Sequence, residues 1–166
     1  MIEMAVVPTP IGPLTVAARE GRTCLLHFGD DQPVARSFLT RWYGNVTINS
    51  VADPAGTVSV LERYFSGELD ALDEVAVEMN GTEFQRRVWS ALREVKAGTT
   101  ASYGQLAQTI GSPAAVRAVG AANGANPVAV IVPCHRIVGS NGTLTGYGGG
   151  LDRKQWLLRH EGGRLF

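Results

Sequence analysis

The sequence predicts an α+β protein: a small α/β unit over residues 1–80, then a mainly helical unit over residues 81–166 that contains a helix-turn-helix. Three observations carry this reading. The first thirty residues are Val-, Thr- and Leu-rich segments broken by Gly and Pro. After residue 81, apolar residues recur at helical spacing. Charge divides at the same place. The whole chain is neutral, with 15 Lys or Arg against 15 Asp or Glu. Residues 1–80 hold five Arg and eleven acids, a net of −6, whereas residues 81–166 hold ten bases and four acids, a net of +6.

Strands are expected at Met4–Pro8, Leu14–Arg19 and Thr23–Phe28, punctuated by Pro10-Ile11-Gly12-Pro13 and Glu20-Gly21. Helical spacing follows at Val34–Tyr43, with Val34, Phe38, Leu39 and Trp42 on one face. A second helix is expected over Ala55–Phe65, stopped by Ser66-Gly67, and a further strand over Leu72–Met79. In the second unit Thr82-Glu83-Phe84-Gln85 is a capping box, and Phe84, Val88, Trp89 and Leu92 line the helix it opens. Ser102-Tyr103-Gly104-Gln105 opens another, ending at Gly111. Ser112-Pro113 then supplies an N-cap and first-turn proline for a helix running to Gly124, which completes a helix-turn-helix. A last helix is expected over Asp152–His160, with Trp156, Leu157 and His160 inward.

At 166 residues, 45% hydrophobic and 18% charged, the chain can bury a core and is not disordered. Its longest apolar run, Pro127–Pro133, is far short of the ~20 residues of a membrane span. Met1-Ile2-Glu3-Met4 does not open a signal peptide, so a cytoplasmic location with no membrane partner is expected. Cys24 and Cys134 form neither a disulfide framework nor a zinc pattern.

The charge division suggests that the second unit faces an anion such as nucleic acid, the alternative being a salt-linked contact between halves. Its second helix-turn-helix helix is almost all Ala and Gly, with Arg117 as its one long polar side chain. Such a helix cannot read a base sequence. Either its slim backbone approaches a minor groove with Arg117 as probe, or it packs tightly in the core. In Ile131-Val132-Pro133-Cys134-His135-Arg136 a buried run ends in a thiol, an imidazole and a guanidinium. His135 could take the thiol proton and Arg136 add positive potential, giving a nucleophile. Adjacent side chains point different ways, so a bridging water is expected, and Glu161 is the candidate to orient the imidazole. The alternative is a structural cysteine beside a core histidine.

Pro133-Cys134-His135-Arg136 resembles the signature of the O6-alkylguanine-DNA alkyltransferases (methylated-DNA–protein-cysteine methyltransferases). The resemblance extends in register through Phe84-Gln85, Val88-Trp89, Ser102-Tyr103-Gly104, Arg117-Ala118-Val119-Gly120, Asn126-Pro127, Gly146-Tyr147, Trp156-Leu157-Leu158 and His160-Glu161. The N-terminal unit is similar, more weakly, to the family's ribonuclease-H-like domain. The resemblance implies direct-reversal repair: binding of double-stranded DNA through the minor groove without regard to sequence, flipping of the damaged guanine, and irreversible, once-only transfer of the alkyl group to Cys134. It leaves O4-alkylthymine open as a second substrate. It implies no cofactor and a monomer in solution, with cooperative assembly on DNA left open.

By the same resemblance His135 is the water-mediated base and Glu161 the carboxylate that holds it. Tyr103 crowds the target's 3′ phosphate and donates to the flipped guanine. Arg117 fills the vacated stack, and Ala115, Ala118, Gly120, Asn123 and Ser140 complete the DNA-facing set. Ile137, Tyr147, Gly148 and Gly149 line the pocket, and Asn126 is the hinge between helix and cysteine segment. Only Cys24 and His27 are available where some members bind zinc, so no metal is expected. Gly148 stands where several members carry Ser. Three rivals remain: a non-catalytic alkylated-DNA-binding protein, which the presence of Cys134 opposes; a helix-turn-helix regulator; and a cysteine hydrolase using Cys134, His135 and Glu161.

Overall fold

The first strands pair because Glu20 and Gly21, both at positive φ, make the tight reversal that joins β2 (Leu14–Arg19) to β3 (Arg22–Phe28). A computed structural model describes residues 1–162 of the chain. They form two compact units, one of residues 1–80 and one beginning at Gly81.

In the first unit β1 (Ile2–Val7) runs antiparallel to β2, with Ile2 opposite Arg19 and Val7 opposite Leu14. The sheet order is β3-β2-β1-β4, where β4 (Ile48–Ser50) lies parallel to β1. Parallel pairing needs a crossover, and α1 (Gln32–Tyr43) supplies it. Its Ala35 and Leu39 pack with Ile2, Met4, Ala17, Cys24 and Leu25 in one buried cluster. A 3₁₀ turn, Pro54–Gly56, precedes α2 (Thr57–Phe65).

Two expectations for this unit need correction. Leu72–Met79 is not a strand: Leu69–Glu74 forms a 3₁₀ turn, and Val77 makes only a single bridge with Thr23. Its alternating residues serve a polar tie instead, in which Glu78 accepts from Arg19 (3.1 Å) and from Tyr43, while Asn80 donates to Tyr43 (2.7 Å). The helix expected from Ala55 begins at Thr57, because Ala55 and Gly56 both hold positive φ.

The second unit opens with α3 (Glu83–Leu92), whose capping box is complete: Gln85 N donates to Thr82 Oγ1 (3.1 Å) and Thr82 N to Gln85 Oε1 (2.8 Å). The same reciprocal bonds between Ser102 and Gln105 start α4 (Tyr103–Thr109). The next helix, α5, begins at Val116 rather than Pro113 and ends at Gly124. Ser112 does not cap it. The Ser112 carbonyl accepts from Ala115 N (2.9 Å) in a separate turn, and no side chain caps α5. Val88, Trp89 and Leu92 of α3, Leu106 of α4 and Val119 of α5 are buried together in this unit's core. Trp89 Nε1 donates to the Ala122 carbonyl (2.8 Å), fastening α5 to α3.

A two-residue parallel ladder joins β5 (Ala101–Ser102) to β6 (Ile137–Val138). The closing helix, α6 (Leu151–His160), buries Lys154, Leu157 and Leu158. Trp156 and His160, expected inward, are half-buried. They stack on each other, 4.8 Å between ring centroids, along the side of α6. Residues four apart share one face, and here that face lies beside the buried stripe.

Candidate active site

The acceptor segment is shaped by its own backbone before any side chain acts. Residues 127–138 are all buried. Val132 N bonds to Val128 O (3.0 Å), Ile131 N to Ala129 O (2.8 Å) and Cys134 N to Val132 O (2.8 Å), so this apolar run folds on itself instead of pairing as a strand. Val130 holds φ +70, a conformation costly for a β-branched residue and kept only where the surroundings impose it. Asn126 supplies part of that constraint. Its Nδ2 donates to Val132 O (2.7 Å) and its Oδ1 accepts from Val128 N (2.9 Å), so one side chain clamps the segment from the end of α5. Pro133 then leads into a 3₁₀ turn, Cys134–Arg136, and β6. Because β6 pairs with β5, the residue after β5, Tyr103, is placed beside the strand that follows the cysteine.

Cys134 is a free thiol, 6% exposed. Burial raises its pKa, opposed by hydrogen bonds from Asn126 and Tyr147 and by the positive charge of Lys154. Beside it a buried network is closed by Glu161 at the C-cap of α6. Glu161 Oε2 lies 2.8 Å from His135 Nε2, and Arg136 meets the same carboxylate through Nε (2.9 Å) and Nη2 (2.9 Å). Arg136 Nη1 donates to Val95 O (2.7 Å). His135 and Arg136 together hold the Glu161 carboxyl well below the usual carboxylate range despite its burial. An ionised carboxylate can only accept, so His135 donates from Nε2 and carries its lone pair on Nδ1. Nδ1 is buried and has no hydrogen-bond partner among the described residues. Burial lowers the His135 pKa, which Glu161 opposes, so the resting ring is a neutral base.

Arg136 therefore does not lend the thiol positive potential directly. Its charge is spent on Glu161, and the cation that acts on Cys134 is Lys154. Lys154 is completely buried. Its Nζ donates to Ile137 O (2.5 Å), Thr145 O (3.3 Å) and Thr145 Oγ1 (3.4 Å). Thr145 Oγ1 in turn lies 2.7 Å from the Tyr103 hydroxyl. Sequence reading missed both residues. A helical signal existed for Lys154, which shares the spacing of Leu157, Leu158 and Glu161 along one stripe.

The remaining sequence-selected residues separate into two groups. Ile137 is buried, Tyr147 half-buried and Gly149 buried, while Gly148 is exposed in the connecting loop. Arg117 and Ala118 are exposed on α5, Ala115 is half-exposed at its start, and Ser140 is exposed in the loop after β6. Gly120 is half-buried, and a Cβ there would lie 3.8 Å from the Tyr103 ring. Asn123 lies inside, 5% exposed, with Nδ2 directed at the Cys134 carbonyl (3.5 Å). Among the described residues no group of three or more His, Cys, Asp or Glu is arranged around a metal position. Cys24 donates to Ala17 O (3.6 Å), and His27 lies against Phe38.

Two family models match the chain end to end: the ribonuclease-like domain of 6-O-methylguanine DNA methyltransferase over residues 2–79, and the DNA-binding domain of the same family over residues 83–163. A methylated-DNA–protein-cysteine methyltransferase of Salmonella typhimurium is 46% identical over 159 residues, covering 94% of this chain and 93% of the relative. That of Mycolicibacterium paratuberculosis is 48% identical over 161 residues, covering 97% and 93%. The crystal structure of Mycobacterium tuberculosis O6-methylguanine methyltransferase superposes with a TM-score of 0.79 at 41% identity, covering 100% of this chain and 96% of that one. The structure of Mycobacterium tuberculosis OGT in complex with DNA gives 0.78 at 41% identity, covering 96% and 92%. With both units matched by family models and relatives of 46% and 48% identity covered almost end to end, this chain belongs to the methylated-DNA–protein-cysteine methyltransferase family.

Proposed function

We propose that this protein repairs O6-alkylguanine in double-stranded DNA by transferring the alkyl group, once and irreversibly, to its own Cys134. The observation that carries the proposal is a buried cysteine beside a neutral histidine whose far nitrogen is held by an ionised carboxylate. His135 Nδ1 takes the Cys134 proton through a water, and Glu161 stabilises the imidazolium that forms. The thiolate attacks the alkyl carbon in line with the C–O6 bond. The S–C bond forms, the C–O6 bond breaks, and its electron pair leaves with guanine. Tyr103, beside β6, donates a proton to the departing base. Residues of the chain and one water supply every group in this sequence, and none of its steps calls for a cofactor.

Binding through the minor groove and without regard to sequence fits the exposed face of α5. Ala118 and Ala121 keep it slim, and Arg117 is its only long side chain. Flipping costs a few kcal/mol of unstacking, and Arg117 entering the vacated stack offsets part of it. The +6 charge of the second half supplies phosphate attraction. Ile137, Tyr147, Gly148 and Gly149 border the alkyl pocket, and Asn126 links α5 to the cysteine segment. The DNA-bound Mycobacterium tuberculosis structure supports the choice of partner. A protein monomer in the cytoplasm suffices for this chemistry, and O4-alkylthymine is a second candidate substrate.

Intact-protein mass spectrometry after mixing with a duplex holding one O6-methylguanine tests the reading. One methyl group should be gained per protein, on the peptide containing Cys134, and Cys134→Ser should abolish the gain while retaining the gel shift. A retained gel shift with no gain by the wild type would make this a non-catalytic alkylated-DNA-binding protein.

A further inference from the structure

We propose that Asn123, on the buried side of α5, is a positioning residue for the nucleophile: its side-chain oxygen holds the water that carries the Cys134 proton to His135. The proposal rests on alkyl transfer by Cys134 and names what fixes the water of the relay. Two buried atoms beside the cysteine turn, Asn123 Oδ1 and His135 Nδ1, have no hydrogen-bond partner among the described residues. Asn123 is 5% exposed and His135 not at all. Chemistry fixes the orientation of the amide. The Cys134 carbonyl can only accept, so the amide nitrogen faces it, at 3.5 Å, and Oδ1 is the atom left without a donor. His135 donates from Nε2 to Glu161, so Nδ1 is an acceptor as well. Both groups adjoin Cys134: His135 follows it in the chain, and Asn123 reaches its carbonyl. Two buried acceptors cannot satisfy each other, whereas a water brings two protons and serves both.

A water so held donates one proton to Asn123 Oδ1 and the other to His135 Nδ1, and its oxygen accepts from the Cys134 thiol. The thiol proton passes to the water as the water's own proton passes to Nδ1. The S–H bond and one O–H bond break, a new O–H bond and an N–H bond form, and the products are thiolate, imidazolium and the same water. The bond to Asn123 is kept throughout. An acceptor is required in that third place. It pins one proton of the water, so the other lies on Nδ1 and a lone pair faces sulfur; a donor there would compete with the thiol for the oxygen. The ionisable groups facing the thiol and the imidazole are Lys154 of α6, Glu161 at its end, Arg136 of the cysteine turn and Tyr147 of the loop before α6. One helix thus serves two tasks: Arg117 of α5 is exposed, while Asn123 faces the nucleophile.

Asn123→Leu is the test, because it removes the amide at nearly constant volume. Alkylation of Cys134 by iodoacetamide should slow about tenfold at pH 7, the worth of one hydrogen bond, and should match the wild type at high pH, where the thiol ionises without a relay. Transfer from an O6-methylguanine duplex should slow alongside, and the gel shift should be kept. In a His135→Gln background, which keeps a donor for Glu161 but has no base, Asn123→Leu should cause no further loss. A crystal structure of the wild type should show a water bonded to both Asn123 Oδ1 and His135 Nδ1. An unmoved pH profile, equal slowing at every pH, a lost gel shift, effects that multiply in the double variant, or a water on Nδ1 that does not touch Asn123 would overturn the role. A wild type that iodoacetamide alkylates but that takes no methyl group from the duplex would defeat the underlying alkyl transfer instead.

Discussion

Replacing Glu161 by Gln removes one charge and almost no volume, so its effects isolate the work of the carboxylate. That carboxylate receives three donors: His135 Nε2 and Arg136 Nη2 on Oε2, and Arg136 Nε on Oε1. An amide has one oxygen. Placed at the Oε2 position it keeps two of the three bonds and sets its NH₂ against Arg136 Nε–H, donor to donor. The guanidinium, 4% exposed, then keeps Val95 O but has no counter-charge. Removing one partner of a buried pair costs about 3–5 kcal/mol, and with two bonds retained the lower end, about 3 kcal/mol, is expected. That is a large share of the roughly 5–15 kcal/mol that holds a typical protein folded. In urea denaturation followed by tryptophan fluorescence, the midpoint should fall by about 1–2 M. The same change takes the anion from behind His135, so its Nδ1 becomes a weaker base. The pH profile for iodoacetamide alkylation of Cys134 should move to higher pH. A stability loss below about 1 kcal/mol, together with an unmoved profile, would show that Glu161 neither balances Arg136 nor orients His135.

Acid should act on the same network. Burial depresses the folded-state pKa of His135, so stability drains as pH falls below about 6.5, where the unfolded chain binds the proton first. Glu161 is depressed as well, so its contribution is present above about pH 4.5 and lost as pH falls further; denaturation midpoints across pH 3–7 should show both limbs, and Glu161→Gln should lack the lower. Arg117→Ala should slow repair in duplex DNA by about 10–100-fold and leave reaction with free O6-methylguanine unchanged, whereas equal slowing would remove its stack-filling role. Gly81→Ala should cost about 1–3 kcal/mol by thermal denaturation. A Cβ there would meet the Trp89 ring at 2.5 Å and the Gln85 capping oxygen at 2.6 Å, both fixed by other bonds, and an unchanged Tm would show that this corner relaxes freely.

What could be read from the sequence was local. Both capping boxes are four-residue patterns whose chemistry lies within one turn, and both form as written. The Pro133-Cys134-His135-Arg136 cluster and the choice of Glu161 were legible because few acids follow residue 80. What escaped depends on partners far along the chain. Ile48–Ser50 is a strand only because β1 lies beside it, and three residues carry no period of their own. Val75, Val77 and Met79 keep a strand's two-residue spacing, yet Glu78 is drawn to Arg19 and Tyr43 and the ladder stops at one bridge. Lys154 escapes a sequence reading because lysine normally lies in water, although its place on the Leu157, Leu158 and Glu161 stripe points inward. Arg136 stands out in the sequence but its partner Glu161, 25 residues on, does not, so its charge reads as acting on the thiol rather than on the carboxylate.

The contact between His135 and Glu161 spans 26 residues of sequence. During synthesis at about 5–20 residues per second, Cys134 joins the growing chain roughly one to five seconds before Glu161 exists. Throughout that interval the thiol has no carboxylate-backed imidazole beside it and none of the surroundings that α6 contributes. It is an ordinary cysteine, with no general base beside it to take its proton. A protein that can act only once is thus not armed while it is being made. Its single use becomes available when the last helix seats Glu161, so alkylating agents meeting the nascent chain find a thiol no more reactive than those around it.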